Sequence, residues 1–169
     1  MELVGRILDG SIPYTPRGEP QGPSFYGGRV SQDDRIERLE EVGLLDGCSR
    51  RQLRAIARIS EVVEVPADSV LARSGEPGEE FFLILDGRAR VDVSPRKRAR
   101  LAPGQYFGEM SLLDGGPRSA SVIAETPLRL LVIKRRDFAT LLREAPELTQ
   151  NILATLSRRV RVAEAGLND

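Results

Sequence analysis

Three kinds of residue within residues 107–120 could together bind a sugar phosphate. Gly108 has no side chain, so a ligand could approach the backbone there, and residues 109–113 are compatible with one short helical turn. The first N–H groups of a helix attract an anion, and the Arg118 guanidinium has a fork that matches phosphate oxygens. Glu109 is an acceptor that could hold a sugar hydroxyl beside the phosphate. The spacing therefore predicts a site for a ribose phosphate.

A turn must bring these groups together. Gly115-Gly116-Pro117 would let the chain reverse, so that Arg118 faces back toward the helical turn. A purely structural interpretation is also open, in which Glu109 only favours the start of a helix and Arg118 only caps a turn. Both residues that the binding interpretation needs are present.

The composition argues against several kinds of catalytic site. The 169 residues include no histidine, which excludes His-based triads, His-ligated zinc and His-based proton shuttling. The single cysteine, Cys48, cannot form an internal disulfide and has no histidine to activate it, so we expect a small semi-buried residue. Basic and acidic residues number 25 each, and zero net charge gives no general attraction to nucleic acid or membranes.

Four regions follow one another along the chain. They are an irregular Pro- and Gly-rich arm, a helical stretch, a stretch of short strands and a second helical stretch, over residues 1–33, 34–60, 61–134 and 135–165. Ser49-Arg50-Arg51-Gln52 is a capping box for one helix, and Asp86-Gly87 is a tight-turn pair between two strands. A long apolar helix is predicted over 147–163, closing at Gly166.

Many short strands between turns predict a β-roll or sandwich. The expected fold class is α+β, mainly β: an antiparallel β-roll or jelly roll flanked by N-terminal helices and a C-terminal helix. We expect residues 34–165 to form one domain, between the arm at 1–33 and a tail at 166–169.

The segment from Phe107 to Val122 strongly resembles the cyclic nucleotide-binding domain family. That family includes regulatory subunits of cyclic-nucleotide-dependent kinases, cyclic-nucleotide-gated channels and the bacterial catabolite activator. Its phosphate-binding cassette reads Phe-Gly-Glu, a short helix, a small turn and then Arg-(Ser/Ala/Thr)-Ala, and every part is present in residues 107–120. Three further segments of this chain look like parts of the same family's β-roll. They are Gly75-Glu76-Pro77-Gly78, Phe82-x-Ile84-x-x-Gly87 and Leu101-x-x-Gly104. The resemblance covers about residues 34–165.

The resemblance implies a role for each cassette residue. Arg118 would neutralise the cyclic phosphate, and Glu109 would bind the ribose 2′-hydroxyl. Backbone N–H groups near Gly108, and those of Ser119 and Ala120, would complete the phosphate cradle. The expected ligand-binding residues are Phe107, Gly108, Glu109, Met110, Ser111, Arg118, Ser119, Ala120 and Arg159.

Two features of base recognition stay open. In the resembling family a hydroxyl after the Arg can contact guanine, but bacterial cAMP binders also carry Ser there, so Ser119 does not choose between cAMP and cGMP. A lid over the purine usually comes from the C-terminal helix, which has no aromatic residue here. A guanidinium can stack on a purine, and of Arg158, Arg159 and Arg161 we choose Arg159. A solvated basic helix face is the alternative.

The resemblance implies a non-catalytic sensor that binds cAMP or cGMP and needs no metal and no cofactor. We expect a cytoplasmic protein, because no stretch approaches the ~20 apolar residues of a spanning helix and the first residues lack the pattern of a signal peptide. Its expected partner is an unknown protein effector; no membrane is expected, DNA is not indicated, and a homodimer is left open. The basic cluster Arg96-Lys97-Arg98 with Arg100 is expected to be a solvated loop. The alternatives are a catabolite-activator-type transcription regulator that lacks its DNA-binding domain or is truncated before it, and an interaction module whose pocket no longer binds ligand.

Overall fold

The computed structural model describes residues 32–167 of the chain. The predicted arm at 1–33 lies almost wholly outside the described residues, as do the last two residues of the predicted tail. The described residues form two compact units. One is a β unit over residues 60–135, and the other is a helical unit made of residues 32–59 and 136–167.

The β unit consists of two four-stranded antiparallel sheets, with strand orders β1-β8-β3-β6 and β2-β7-β4-β5. Its strands are β1 (Glu61–Val65), β2 (Val70–Ala72), β3 (Glu80–Asp86), β4 (Ala89–Ser94), β5 (Lys97–Leu101), β6 (Tyr106–Phe107), β7 (Ser121–Ala124) and β8 (Leu128–Lys134). The predicted α+β class with an antiparallel β-roll is therefore confirmed.

Burial follows the side-chain pattern closely in β3 and only partly in β4. Residues 81–84 of β3 form a continuous apolar run and are all buried, which is typical of a strand covered on both faces. In β4 the alternation expected of Ala89, Val91 and Val93 holds only at the start of the strand. Ala89 is fully buried and Arg90 is half-buried, but Val93 is 46% exposed. Full burial of one large apolar side chain contributes about 1.5–3 kcal/mol. The most deeply buried core residues of this unit include Leu71, Phe82, Ile84, Ala89, Ala124 and Leu130.

The register of β3 and β6 positions the start of the cassette. Phe82 lies opposite Phe107, and Leu83 lies opposite Tyr106. Because the two strands are antiparallel, the chain that leaves Phe107 runs toward the first residue of β3, Glu80. The next element is the short helix α3 (Glu109–Asp114).

The helical unit contains the helices α1 (Gln32–Glu40), α2 (Arg50–Ile59), α4 (Arg135–Glu144, from Arg136 onward) and α5 (Pro146–Leu167), with a 3₁₀ turn at Gly43–Leu45. The predicted capping box is present at the start of α2. The Ser49 backbone N–H donates to Gln52 Oε1 at 2.7 Å, and the Gln52 backbone N–H donates to Ser49 Oγ at 3.2 Å. Asn151 of α5 donates from Nδ2 to the carbonyl oxygens of Leu44 and Asp46 at 2.8 and 3.0 Å.

The end of α5 differs from the prediction. The helix continues through Gly166 to Leu167 instead of closing at Gly166. Gly166 does not adopt the left-handed conformation with which glycine commonly ends a helix. Within residues 32–167, no helix combines the length and the apolar character that crossing a bilayer requires.

Candidate phosphate-binding site

Two residues in the left-handed conformation bracket the short helix of the cassette. Gly108 has φ 93° and ψ −4° directly before α3, and Gly115 has φ 72° and ψ 6° directly after it. The Gly115 N–H donates to the Ser111 carbonyl oxygen at 3.0 Å and so ends the helix. Glu109, the first residue of α3, is 2% exposed. The predicted helical turn is therefore present, with its carboxylate buried at the N-terminal end of the helix.

Arg118 is buried beside this turn, with only 4% of the residue exposed. Its Nη1 donates to the Gly108 carbonyl oxygen at 3.1 Å, and its Nη2 donates to the Glu80 carbonyl oxygen at 2.9 Å. The Glu80 carboxylate oxygen Oε2 lies 3.5 Å from Nη2. The guanidinium carbon lies 5.8 Å from the centre of the Phe82 ring. Arg118 thus faces back to the start of α3, as the sequence predicts.

The guanidinium occupies a space that exists because two neighbouring residues are glycines. A Cβ atom on Gly78 would lie 2.5 Å from Arg118 Cζ and Nε. A Cβ atom on Gly108 would lie 2.6 Å from the Glu80 carbonyl oxygen and 2.7 Å from Arg118 Nη1. Real Cβ atoms do not approach other atoms this closely, so any side chain at Gly78 or Gly108 would displace the guanidinium or the backbone.

The backbone of Arg118 is held by the same loop that holds its side chain. The Arg118 N–H donates to the Glu76 carbonyl oxygen, and the Gly75 N–H donates to the Arg118 carbonyl oxygen, both at 2.8 Å. The segment Gly75-Glu76-Pro77-Gly78, which the sequence indicated only as a turn of the β-roll, therefore positions Arg118 at both levels. No sequence pattern indicated this role, nor that the Glu80 carboxylate lies beside Arg118.

The structure brings the other predicted cassette residues together around α3. Phe107 is buried and stacks on Phe82, with ring centroids 4.7 Å apart. Ser111 is buried, Met110 is 42% exposed, and Ser119 Oγ lies 3.8 Å from Met110 Sδ. Ala120 is half-buried just before β7. Their roles in holding a ligand stay predictions.

Arg159 lies on α5 in the helical unit, where its side chain is exposed. Its role as a lid over the purine also stays a prediction.

Cys48, in the same unit, is half-buried, and burial, followed by the negative charge of Glu147, raises the pKa of its thiol. A raised pKa leaves the thiol protonated at neutral pH, so it does not act as an activated nucleophile.

A second arginine contacts the cassette, and no sequence pattern indicated it. Arg135 follows β8 directly, and its Nη2 donates to the carbonyl oxygens of Gly78 and Ser111 at 2.7 and 3.3 Å. Its Nε donates to Glu79 Oε2 at 2.9 Å. These partners are distant along the chain, so local spacing could not predict them. Within the described range, 32–167, no cluster of three or more side chains suited to holding a metal ion occurs.

Comparison with known proteins agrees with this architecture. Residues 62–145 match the sequence profile of the cyclic nucleotide-binding domain. A cyclic nucleotide-gated potassium channel of Mesorhizobium japonicum is 40% identical over 111 residues, which are 65% of this chain and 31% of the channel. The cyclic AMP receptor protein of Thermus thermophilus is 37% identical over 108 residues, which are 61% of this chain and 50% of that protein.

A solved structure supports the same relationship. The crystal structure of the Thermus thermophilus catabolite activator protein has a TM-score of 0.68 and 32% sequence identity, covering 74% of this chain and 61% of that one. The chain spans about a third to a half of the length of the two curated relatives named above. Profile, relatives and fold agree on one family, and this chain carries a domain of the cyclic nucleotide-binding family.

Proposed function

We propose that the chain binds a cyclic nucleotide, cAMP or cGMP, and acts as a non-catalytic, ligand-switched regulatory domain over residues 34–165. The observation that carries this proposal is the buried guanidinium of Arg118, which lies between Gly78 and Gly108 beside the first turn of α3. The guanidinium donates to the carbonyl oxygen of Gly108, the residue directly before α3. The N–H groups at the start of a helix favour an anion, so a phosphate there would lie beside the guanidinium.

A bound phosphate would give the Arg118 guanidinium a partner with a full negative charge. Arg118 donates to two carbonyl oxygens, which carry only partial charges, and the carboxylate of Glu80 lies 3.5 Å from Nη2. Hydrogen bonds between a guanidinium and a full anion are roughly twice as strong as those between neutral groups. Water is largely excluded from a residue that is 4% exposed, so a phosphate bound there would be only weakly screened.

The other residues of the proposed site would recognise the nucleoside. Glu109 would accept a hydrogen bond from the ribose 2′-hydroxyl, and the N–H groups of Ser119 and Ala120 would complete the phosphate cradle. Arg159 is the proposed lid over the purine. The names of relatives such as the cyclic AMP receptor protein support cAMP as the first ligand to test.

The regulatory role is that of a two-state switch. A ligand shifts such an equilibrium only by the difference between its affinities for the two states. The channel and the cyclic AMP receptor protein named above are each longer than the part that this chain matches. The proposed effector of the switch is therefore a protein whose class stays open.

The test is a calorimetric titration with cAMP and with cGMP, after unfolding and refolding the protein to remove any nucleotide carried through purification. We expect a dissociation constant of about 1 µM or tighter for one of them, which corresponds to about −8 kcal/mol. Arg118→Ala should weaken binding at least tenfold, because removing one partner of a buried charge pair costs about 2–5 kcal/mol. The matched control is Arg88→Ala, which removes an exposed arginine of the same unit.

Either of two results would contradict the proposal. No binding of either nucleotide by folded protein would leave an interaction module whose pocket no longer binds ligand. Equal affinities of wild type and Arg118→Ala would remove Arg118 from the site. A titration with 2′-deoxy-cAMP tests Glu109 separately, since this ligand lacks the hydroxyl that Glu109 is proposed to bind.

A further inference from the structure

Arg135 connects two parts of the proposed site that are far apart in the sequence. Gly78 lies 57 residues before it and Ser111 lies 24 residues before it, and Nη2 of Arg135 donates to the carbonyl oxygens of both. Arg135 is the last residue of the β unit and the first residue of α4. It belongs to none of the groups proposed above to touch the ligand.

The two carbonyl contacts of Arg135 matter more than its ion pair. The pair with Glu79 joins side chains that are 39% and 65% exposed, and ion pairs this exposed contribute little because water screens them. The bonds to Gly78 and Ser111 are partly buried and have a charged donor, which makes them stronger than neutral hydrogen bonds. Loss of the guanidinium would therefore act on the two carbonyl groups.

These carbonyl groups belong to the two sides of the cassette. Gly78 packs directly against the Arg118 guanidinium, so its position sets where that cation can lie. Ser111 is buried in the middle of α3, two residues after Glu109, and its carbonyl oxygen also accepts the bond that ends the helix. One guanidinium therefore fixes the distance between the loop behind Arg118 and the helix that carries Glu109.

We propose that Arg135 is a positioning residue that holds Arg118 and Glu109 at the separation needed to bind the phosphate and the sugar of one ligand. This inference rests on the proposed function. The Arg135 backbone N–H also donates to the Glu79 carbonyl oxygen at 2.8 Å, a bond that survives any change of the side chain. Substitution of the side chain should thus loosen α3 relative to the loop without detaching the loop from the β unit.

The test compares Arg135→Met with Arg136→Met. Methionine keeps an apolar stem and loses all donors, and Arg136 is the adjacent, exposed arginine, so the two variants change the net charge equally. Arg135→Met should weaken cAMP binding about tenfold, with faster dissociation and only a modest fall in melting temperature, because two partly buried hydrogen bonds are lost. Arg136→Met and Glu79→Gln should bind within about twofold of wild type. A merely structural role would lower the melting temperature and leave the affinity of the folded protein unchanged.

Hydrogen exchange without ligand provides the second measurement. The amides of residues 109–115 should exchange faster in Arg135→Met than in Arg136→Met. Wild-type affinity in Arg135→Met, or an equal loss in Glu79→Gln, would overturn the inference. If wild type binds neither nucleotide, the proposed function fails, and equal exchange rates in the two variants would then overturn the positioning role as well. Arg135→Lys, which keeps the charge without the planar fork, should give intermediate affinity and serves if Arg135→Met does not fold.

Discussion

At the scale of single residues, the position of Arg118 depends on two neighbouring glycines. The Arg118 guanidinium can lie beside the start of α3 only because Gly78 and Gly108 present no side chain to it. Gly108 also has φ 93°, a conformation that other residues adopt at a cost. The absence of two side chains is thus as necessary to the proposed site as the presence of the arginine.

Gly108→Ala should therefore impair both folding and binding. The new Cβ would meet the Glu80 carbonyl oxygen at 2.6 Å and Arg118 Nη1 at 2.7 Å, and the first of these atoms belongs to the backbone of β3. We expect a loss of about 1–3 kcal/mol in the free energy of unfolding and a loss of at least tenfold in cyclic nucleotide affinity. Urea denaturation and calorimetry measure the two effects.

Gly104→Ala separates backbone strain from collision. Gly104 has a similar φ of 86°, but a Cβ there would meet nothing within 4 Å. This variant should lose about 1 kcal/mol of stability and keep its affinity. If Gly104→Ala weakened binding as much as Gly108→Ala does, strain alone would explain the effect, and the contact with Arg118 would have no special role.

At the scale of elements, the Gln52 side chain joins three helices of the helical unit by hydrogen bonds. Besides its part in the capping box of α2, Gln52 donates from Nε2 to Glu147 Oε2 at 2.8 Å and to the Glu144 carbonyl oxygen at 3.3 Å. The last residue of α4 and the first turn of α5 are thereby bonded to the first turn of α2. The capping box is local, whereas these bonds join residues more than ninety positions apart.

Gln52→Ala should destabilise the protein more than Ser49→Ala does. Ser49→Ala removes one cap hydrogen bond and should cost about 1 kcal/mol in the free energy of unfolding. Gln52→Ala removes its side of the capping box and both bonds to the later helices, and should cost about 2 kcal/mol. Urea denaturation measures both, with the exposed Arg51→Ala as the control. Equal costs for the two variants would mean that the bonds to residues 144 and 147 contribute nothing.

The elements that sequence predicted well are those defined by local patterns. The apolar run of β3, the Asp86-Gly87 turn and the capping box each depend on neighbours a few residues apart. The alternation of β4 was less reliable, because Val93 near the end of the strand is 46% exposed. The short helix α3 and its Arg118 were predicted because their spacing resembles a family cassette.

The positioning contacts escaped prediction because they join distant parts of the chain. Glu80 reaches Arg118 across 38 residues, and Gly78 reaches Arg135 across 57. Such pairs form only when the fold brings separate strands and loops together, and no periodicity or spacing in one segment encodes them. The family resemblance predicted the ligand-binding residues but did not indicate the residues that position them.

At the scale of the whole molecule, the two halves of α5 differ in the burial of their apolar side chains. Leu148 and Ile152 in its first half are buried within the described part of the chain. Farther on, an apolar stripe repeats at intervals of three and four residues through Leu153, Leu156, Val160, Ala163 and Leu167. Leu153 is 56% exposed and Val160 is 55% exposed. Spacing of three and four is typical of a helix that pairs with another helix in a coiled coil.

We therefore predict that two copies of the chain associate through this stripe. Leu153→Glu with Val160→Glu should convert a dimer into a monomer, because two like charges would face each other across the helix pair. Sedimentation at several protein concentrations measures the association. Val162→Glu is the control, because Val162 is 74% exposed and lies outside the stripe, so this variant should remain dimeric. A wild-type protein that sediments as a monomer at 100 µM would contradict the prediction, as would a stripe variant that still dimerises, since both would mean that the exposed apolar residues of α5 do not join two copies.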